Sequence, residues 1–270
     1  MLRHLLLRVR IFTITLNNIY MNFKKDNLAI SISDSRLIMG QTAAKEAAEY
    51  INKVLEKSAE MNIIFAAAPS QDTFLASLIT HDIEWGKINA FHMDEYIGLA
   101  ADAPQRFGNY LNEHIFSRVP LKSVNYLSGS DAETAMETYR FLWSGTTPLV
   151  TFMGIGENGH IAFNDPHVAL FNDSEYIKVV TLDDTSRMQQ VHDGCFLSFE
   201  DVPATALTLT IPALMSSQRI FCVVPGKNKA NAVKETVQGE IVEKCPASIL
   251  RTHDSATLYC DRDSAQYLLK

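Results

Sequence analysis

Leu149 to Pro166 reads LVTFMGIGENGHIAFNDP, and the fold is decided by how this stretch is read. Its first five residues form a short, mainly apolar run closed by turn residues, the pattern of a strand buried inside a parallel sheet. Gly154, Gly156 and Gly159 then let the backbone turn sharply and let a ligand approach with no Cβ in the way. His160 follows, a side chain able to move a proton near neutral pH. Asp165 precedes Pro166, which keeps it out of helical dihedrals and biases the segment toward an ordered loop. The rest of the chain reads as a scaffold for this loop and for one other, Phe91 to Leu99.

Upstream, Ile30 to Ser33 is a short strand, and the alanine-rich spacing of Ser35 to Glu60 (Ala43, Ala47, Ile51, Leu55) predicts an amphipathic helix. Asn62 to Ala68 (NIIFAAA) is another buried strand, stopped by Pro69-Ser70-Gln71, with a helix from Asp72 to Thr80. Strand, polar turn and helix N-terminus make a ready anion site, because free amides and the dipole point there. The alternative is an ordinary connection with Ser or Asp capping the helix. Ile88 to Met93 (INAFHM) is the next strand, and Asp94-Glu95-Tyr96 stand at its carboxyl end, where open α/β sheets bind ligands. A helix over Gln105 to Phe116, a strand near Val124 to Leu127 and a helix from Ala132 to Trp143 lead to the opening stretch. Downstream, strands are expected at Ile177 to Leu182, Leu207 to Thr210, Arg219 to Val224 and Ala256 to Cys260. Helices are expected at Thr185 to Phe196, Ile211 to Ser216, Pro225 to Val237 and, last, Arg262 to Leu269. Alternation of this kind implies a layered parallel or mixed sheet with right-handed crossovers.

Composition agrees. The 270 residues are 47% hydrophobic and 20% charged, enough for one large α/β core. A net charge of −7 with no basic stripe argues against nucleic acid, and no apolar run reaches the roughly 18–20 residues that span a bilayer. Cys195, Cys222, Cys245 and Cys260 show no CxxC pairing and read as reduced thiols of a cytoplasmic protein. The basic, apolar start, MLRHLLLRVRIFTITLNNIY, lacks a clean apolar stretch and a cleavage site. Residues 1–25 are read as an extension outside the core, and residues 26–270 as a single domain.

Gly154-x-Gly156-x-x-Gly159 matches the dinucleotide fingerprint literally, yet Pro166 follows where that fingerprint needs a helix, and no nicotinamide cofactor is expected. Zinc is disfavoured too, since the ligands lack i, i+3 or i, i+4 pairing and no thiol is near in sequence. An acid at a strand end (Asp94) and a loop histidine with a nearby acid (His160, Asp165) suit proton transfer. Each also has a structural alternative: a helix cap for Asp94, a buried turn histidine for His160, and an Asx turn for Asp165.

Phe91-His92-Met93-Asp94-Glu95-Tyr96-Ile97-Gly98-Leu99, with Gly154 to Pro166, resembles the two signature segments of the glucosamine-6-phosphate deaminase/isomerase family. The likeness runs from about Asp26 through Val202 to Thr208 and Gly226 to Lys229 into the final strand. It implies a Rossmann-like α/β fold, mostly parallel with helices on both faces, and a metal-free, cofactor-free reaction on an amino-sugar phosphate. By the same resemblance His160 assists opening of the pyranose ring, and Asp94 carries the proton between C2 and C1. Asp165 and Asn158 orient His160. Lys229 matches the phosphate-binding lysine. Ser70, Gln71 and Thr73 fall in the phosphate loop, and Gly156 and Gly159 lie in the substrate-facing turn. Members often form homo-oligomers.

The chain departs from the family pattern where phosphate is held. The phosphate loop, Ala68-Pro69-Ser70-Gln71-Asp72-Thr73, has no glycine, and Asp72 adds negative charge beside the expected dianion unless it points away as a cap. The position of a phosphate arginine falls near Val191 or His192, leaving Arg187 one turn earlier as the substitute. Lys178 fits an allosteric site but Tyr176 replaces an arginine there. Two other readings are a 6-phosphogluconolactonase-like hydrolase, against which Ile161-Ala162-Phe163-Asn164 argues, and a non-catalytic sugar-phosphate sensor.

Overall fold

In the computed structural model, which describes residues 21–127, 131–143, 145 and 147–269, the chain opens with β1 (Met21–Lys25) and β2 (Leu28–Ser33). Helix α1 (Arg36–Leu55) leads to β3 (Met61–Phe65), and α2 (Asp72–Leu78) to β4 (Ile88–His92) and β5 (Asp94–Tyr96). Then come α3 (Phe107–Leu111), β6 (Ser123–Asn125), α4 (Ala132–Tyr139) and β7 (Leu149–Met153). The second half carries β8 (Ile177–Thr181), α5 (Asp184–His192), β9 (Thr205–Leu209), α6 (Ile211–Met215), β10 (Arg219–Val224), α7 (Ala230–Gln238) and β11 (Ala256–Asp261).

Eight strands form the main sheet in the order β1-β2-β11-β10-β7-β3-β4-β6. All neighbours run parallel except β1 on β2. All five residues of β7 are buried, and its side chains alternate between two cores. Leu149 and Met153 join one core with Ile220, Cys222 and residues of α4, α6 and α7. Val150 and Phe152 join the other with Phe221 and residues of α1, α2 and α3. Burial on both faces leaves no polar face to a strand, which is why these strands read as near-continuous apolar runs. On the second face Phe152 meets Phe74, Phe65 and Phe221 edge-on at 4.9, 5.3 and 5.6 Å between ring centroids, each contact adding about 0.5–1.5 kcal/mol to area burial.

Three features differ from expectation. First, β5, β9 and β8 make a separate antiparallel sheet, order β5-β9-β8. The half-exposed pattern of Ile177–Thr181, unlike the full burial of the main strands, marks a sheet with one face toward solvent. Second, residues 21–25 are not outside the domain: they pair with β2 as an edge strand, with Phe23 against the core. One inward apolar residue among exposed lysines and asparagine gave too weak a period to see. The remainder of the expected extension, residues 1–20, lies outside the described residues. Third, 262–268 is a series of turns, not a helix. Asp261 Oδ1 accepts from Ser264 N at 2.8 Å and Ser264 Oγ accepts from Asp261 N at 3.2 Å, and such local bonds compete with a helical ladder in so short a segment.

The long helix α1 is capped by Ser35, whose Oγ accepts from Ile38 N at 3.3 Å. Its small inner residues, Gly40, Ala44 and Ala47, let α2 lie close against it. A Cβ on Gly40 would stand 2.6 Å from Thr73 Oγ1 and 2.8 Å from the Thr73 carbonyl carbon. Gly40→Ala is therefore expected to destabilise the protein by about 1–3 kcal/mol through overpacking, read from urea unfolding; an unchanged midpoint would contradict the close α1–α2 approach.

Candidate active site

The carboxyl ends of β3, β4 and β7 meet at one edge of the main sheet, the place where doubly wound sheets form their crevices. A cleft opens there, and its walls include Ser70, Gln71, Asp94, Gly156, His160, Gln190 and Lys229.

The loop after β7 is built around the histidine. Gly159, at φ +86, makes the turn, and its N–H donates to Gly156 O at 3.0 Å while Gly156 N donates to His160 O at 2.9 Å. The His160 ring folds back directly over Gly156, where a Cβ would come within 2.1–2.3 Å of three ring atoms. Beyond the ring, Ala162 sits in the left-handed region at φ 48, a strained conformation for a residue with a Cβ. The small sheet holds that strain: Thr208 Oγ1 accepts from Phe163 N at 3.0 Å, and Asn164 Nδ2 donates to Leu209 O at 2.8 Å.

Behind the ring stands a closed polar set. Asn158 Oδ1 accepts from His160 N at 3.0 Å and lies 2.8 Å from Nδ1, while Asn158 Nδ2 donates to Asp165 Oδ1 at 3.0 Å. Asp165 Oδ1 is 3.1 Å from Nδ1, and Ser186 Oγ donates to that same oxygen. Asp165 Oδ2 accepts from Asp183 N at 2.9 Å. Asn158 Oδ1 and the carboxylate can only accept from the ring, so the proton of the neutral imidazole sits on Nδ1 and the Nε2 lone pair is free. Burial alone would push the Asp165 carboxyl up, but hydrogen bonds from His160, Asn158 and Ser186 outweigh it and hold the group well below the usual carboxylate range. Asp165 stays ionised.

Asp94 and Glu95 are adjacent acids in opposite settings. Glu95 turns to the start of α3, accepting from Phe107 N and Gly108 N at 3.1 Å each, with Arg106 Nε at 3.5 Å. Asp94 turns to the cleft, 6% exposed, with no hydrogen bond to its carboxyl among the described residues. Burial first, and the Glu95 charge second, raise its pKa well above the ordinary value.

Lys229, 3% exposed, also reaches the cleft without an ion pair or hydrogen bond among the described residues. Burial lowers its pKa, opposed by Asp193 and Glu157. Ser70 and Gln71 line the cleft as expected, Gln71 being anchored by Nε2 to Val223 O at 3.1 Å.

Other expected residues go elsewhere. Thr73 Oγ1 turns to α1 and donates to Arg36 O at 3.4 Å. Arg187 bonds the carbonyls of Phe199 and Val202 at 2.9 and 2.8 Å and lies 3.9 Å over the Phe199 ring. That guanidinium pins a loop and does not line the cleft. Gly159 packs on Cys245 and shapes the turn without lining the cleft. Asp72 points away from it: Tyr110 donates to the carboxylate, with Arg36 at 4.0 Å and His114 at 3.7 Å.

Ser186 and Gln190 were not singled out in the sequence. With Gln189 they form the buried face of α5, and a buried polar stripe at i, i+3, i+4 is the signal that was there to be read. Gln189 is occupied, accepting from Glu157 N at 2.8 Å. Gln190, 5% exposed, lines the cleft with neither amide atom hydrogen-bonded among the described residues.

The family model of glucosamine-6-phosphate isomerases/6-phosphogluconolactonase matches residues 34–259. The chain belongs to this family. It is 34% identical over 228 residues to a glucosamine-6-phosphate deaminase of Listeria innocua, covering 83% of this chain and 95% of that protein. A deaminase of Streptococcus gordonii is 31% identical over 226 residues, covering 83% and 94%. Among solved structures, a monomeric glucosamine-6-phosphate deaminase superposes with a TM-score of 0.78 at 29% identity, over 88% of this chain and 98% of that one. The 6-phosphogluconolactonase of Thermotoga maritima, at 20% identity, 87% and 99% coverage and a TM-score of 0.69, shares the fold.

The Gly156 contact is testable. Gly156→Ala should drive the ring off Asp165 at a stability cost on the order of 1–3 kcal/mol, and the His160 imidazole resonances should move with it. Unmoved resonances in a folded variant would contradict the packing described.

Proposed function

We propose that this chain deaminates an amino-sugar phosphate, converting glucosamine 6-phosphate to fructose 6-phosphate and ammonia. One observation carries the reading: a buried carboxyl (Asp94), an imidazole nitrogen (His160 Nε2) and an ammonium (Lys229), all without protein partners among the described residues, face one cleft. Buried groups of this kind are costly to leave unpaired and are explained when a ligand pairs them.

His160 Nε2, freed by the proton on Nδ1, takes the C1 hydroxyl proton and returns it to the ring oxygen, opening the pyranose. Asp94 then removes the C2 proton while the substrate's own C2 ammonium gives a proton to the C1 oxygen, so that the aldehyde becomes an enol, and return of the Asp94 proton to C1 leaves a protonated imine at C2. Water adds to that imine, and ammonia leaves as the C2 ketone forms. A carboxyl with a raised pKa is a stronger base for such a step. Lys229 receives the phosphate, with Ser70 and the neutral amide of Gln190 as further donors. Asp72 and Arg187 take no part, because both are committed elsewhere. Against the main competing reading, hydrolysis of a sugar lactone, stand identities of 34% and 31% to glucosamine-6-phosphate deaminases, compared with 20% to the lactonase of Thermotoga maritima. The four unpaired cysteines fit a reducing compartment and support placement in the cytoplasm.

Ammonia release coupled to fructose 6-phosphate formation, with purified protein and glucosamine 6-phosphate, tests the reading. Asp94→Asn and His160→Ala should each lower kcat by about 10²–10⁴-fold. The sign of the pH effect follows from Asp94: the base works ionised, its pKa is raised, so kcat falls as pH drops through a point above the ordinary 3.8. Wild-type protein without ammonia release, or an Asp94→Asn protein at full rate, would overturn the assignment.

A further inference from the structure

The chain passes from the main sheet to the small one within three residues. His92 ends β4 and Asp94 opens β5, and main-chain groups at such a crossing lose their ladder partners and need others. Two side chains supply them. His92 N donates to the Tyr139 hydroxyl at 3.1 Å, and that hydroxyl is 3.0 Å from His92 O and 2.9 Å from Asn125 O. The His92 ring, fully buried, bridges the other gap. Its Nε2 is 2.8 Å from Leu127 N, and its Nδ1 is 2.9 Å from Asp94 O.

The two partners fix the tautomer. Leu127 N–H can only donate, so Nε2 must accept and Nδ1 must carry the proton, which it gives to the Asp94 carbonyl. Burial lowers the pKa of His92 and keeps the ring neutral, against Glu95 and the Asp94 carbonyl and with Arg106. The carboxyl of Asp94 has no such anchor. Its aim depends on the main chain, held on one side by the pairing of Asp94 with Thr208 in the small sheet and on the other by the ring.

We propose that His92 is a positioning residue: its Nδ1–H bond to the Asp94 carbonyl fixes the main chain from which the Asp94 carboxyl enters the cleft. The proposal rests on Asp94 being the group that moves the proton.

Two substitutions separate this role from ordinary packing. In His92→Asn the amide nitrogen stands near the place of Nδ1 and can still donate to Asp94 O, while Leu127 N–H loses its acceptor. In His92→Gln the amide oxygen stands near the place of Nε2 and can still accept from Leu127, while Asp94 O loses its donor. Both variants should lower Tm. With glucosamine 6-phosphate, His92→Gln should lose about 10-fold or more in kcat with little change in KM, whereas His92→Asn should keep kcat within about 3-fold of wild type. A second readout needs no substrate: the ¹³C titration of the Asp94 carboxyl, assigned with Asp94→Asn, should move in His92→Gln and stay in place in His92→Asn. Equal losses in the two variants, or an unmoved titration in His92→Gln, would reduce His92 to a core residue and overturn the proposal. Were the wild type to release no ammonia, the deaminase reading would fall, and the titration alone would decide the role of His92.

Discussion

The strand Leu149–Met153 has no solvent face, and the architecture of the site depends on that constraint. A strand buried on both sides must have helices over each face, and helices that connect neighbouring strands on this pattern force the neighbours to run parallel. β3 and β10 therefore lie beside β7 in register, with Phe65 and Phe221 both level with Phe152. Parallel strands in register end at the same edge. The loops after β3, β4 and β7 accordingly meet above that edge, and residues separated by some ninety positions, Ser70 and His160, face one cleft. Nothing local in either loop would bring them together.

Around the cleft, three acids receive three different settings from their surroundings. Glu95 accepts from the amides at the start of α3 and faces Arg106. Asp165 is buried too, yet its hydrogen bonds favour the ionised form, so it is a permanent anion that fixes the His160 tautomer. Asp94 is buried without such donors, and both burial and the neighbouring charge of Glu95 push its proton affinity up. Pairs of acids whose environments drive their proton affinities apart are how one fold runs distinct acid and base roles. Asp94 and Asp165 diverge in this way because donors surround one carboxyl and not the other. Alternation along β5 sends Glu95 to one side and Asp94 to the other.

Much of this was legible in the sequence, for identifiable reasons. Arg219–Val224 and Leu149–Met153 were read to the residue because continuous apolar runs bounded by turns carry their own limits. The two loops were found because acids, a histidine and glycines at strand ends are conspicuous. The small antiparallel sheet was not foreseen, since pairing of Asp94–Tyr96 with Thr205–Leu209 is a contact across more than a hundred residues with no local signature. Arg187 and Thr73 were placed at the site by position in the chain, but one turn of a helix decides which way a side chain points. On α5 the face toward the cleft carries Ser186 and Gln190, and Arg187 is rotated off it.

That rotation bears on how an anion can be held. With Arg187 turned to the 199–202 carbonyls, Lys229 is the lysine or arginine on the cleft wall among the described residues, and Asp193 and Glu157 already act on it. A lone ammonium facing nearby acids offers less to a dianion than a planar guanidinium with two parallel donors. For the proposed sugar phosphate, neutral groups would then have to contribute, and the Gln190 amide, unpaired among the described residues, is suited to that because it adds donors without a counter-charge. For the proposed reaction, a wall with little positive charge leaves in place the proton affinity that burial gives Asp94, which a strongly cationic wall would lower.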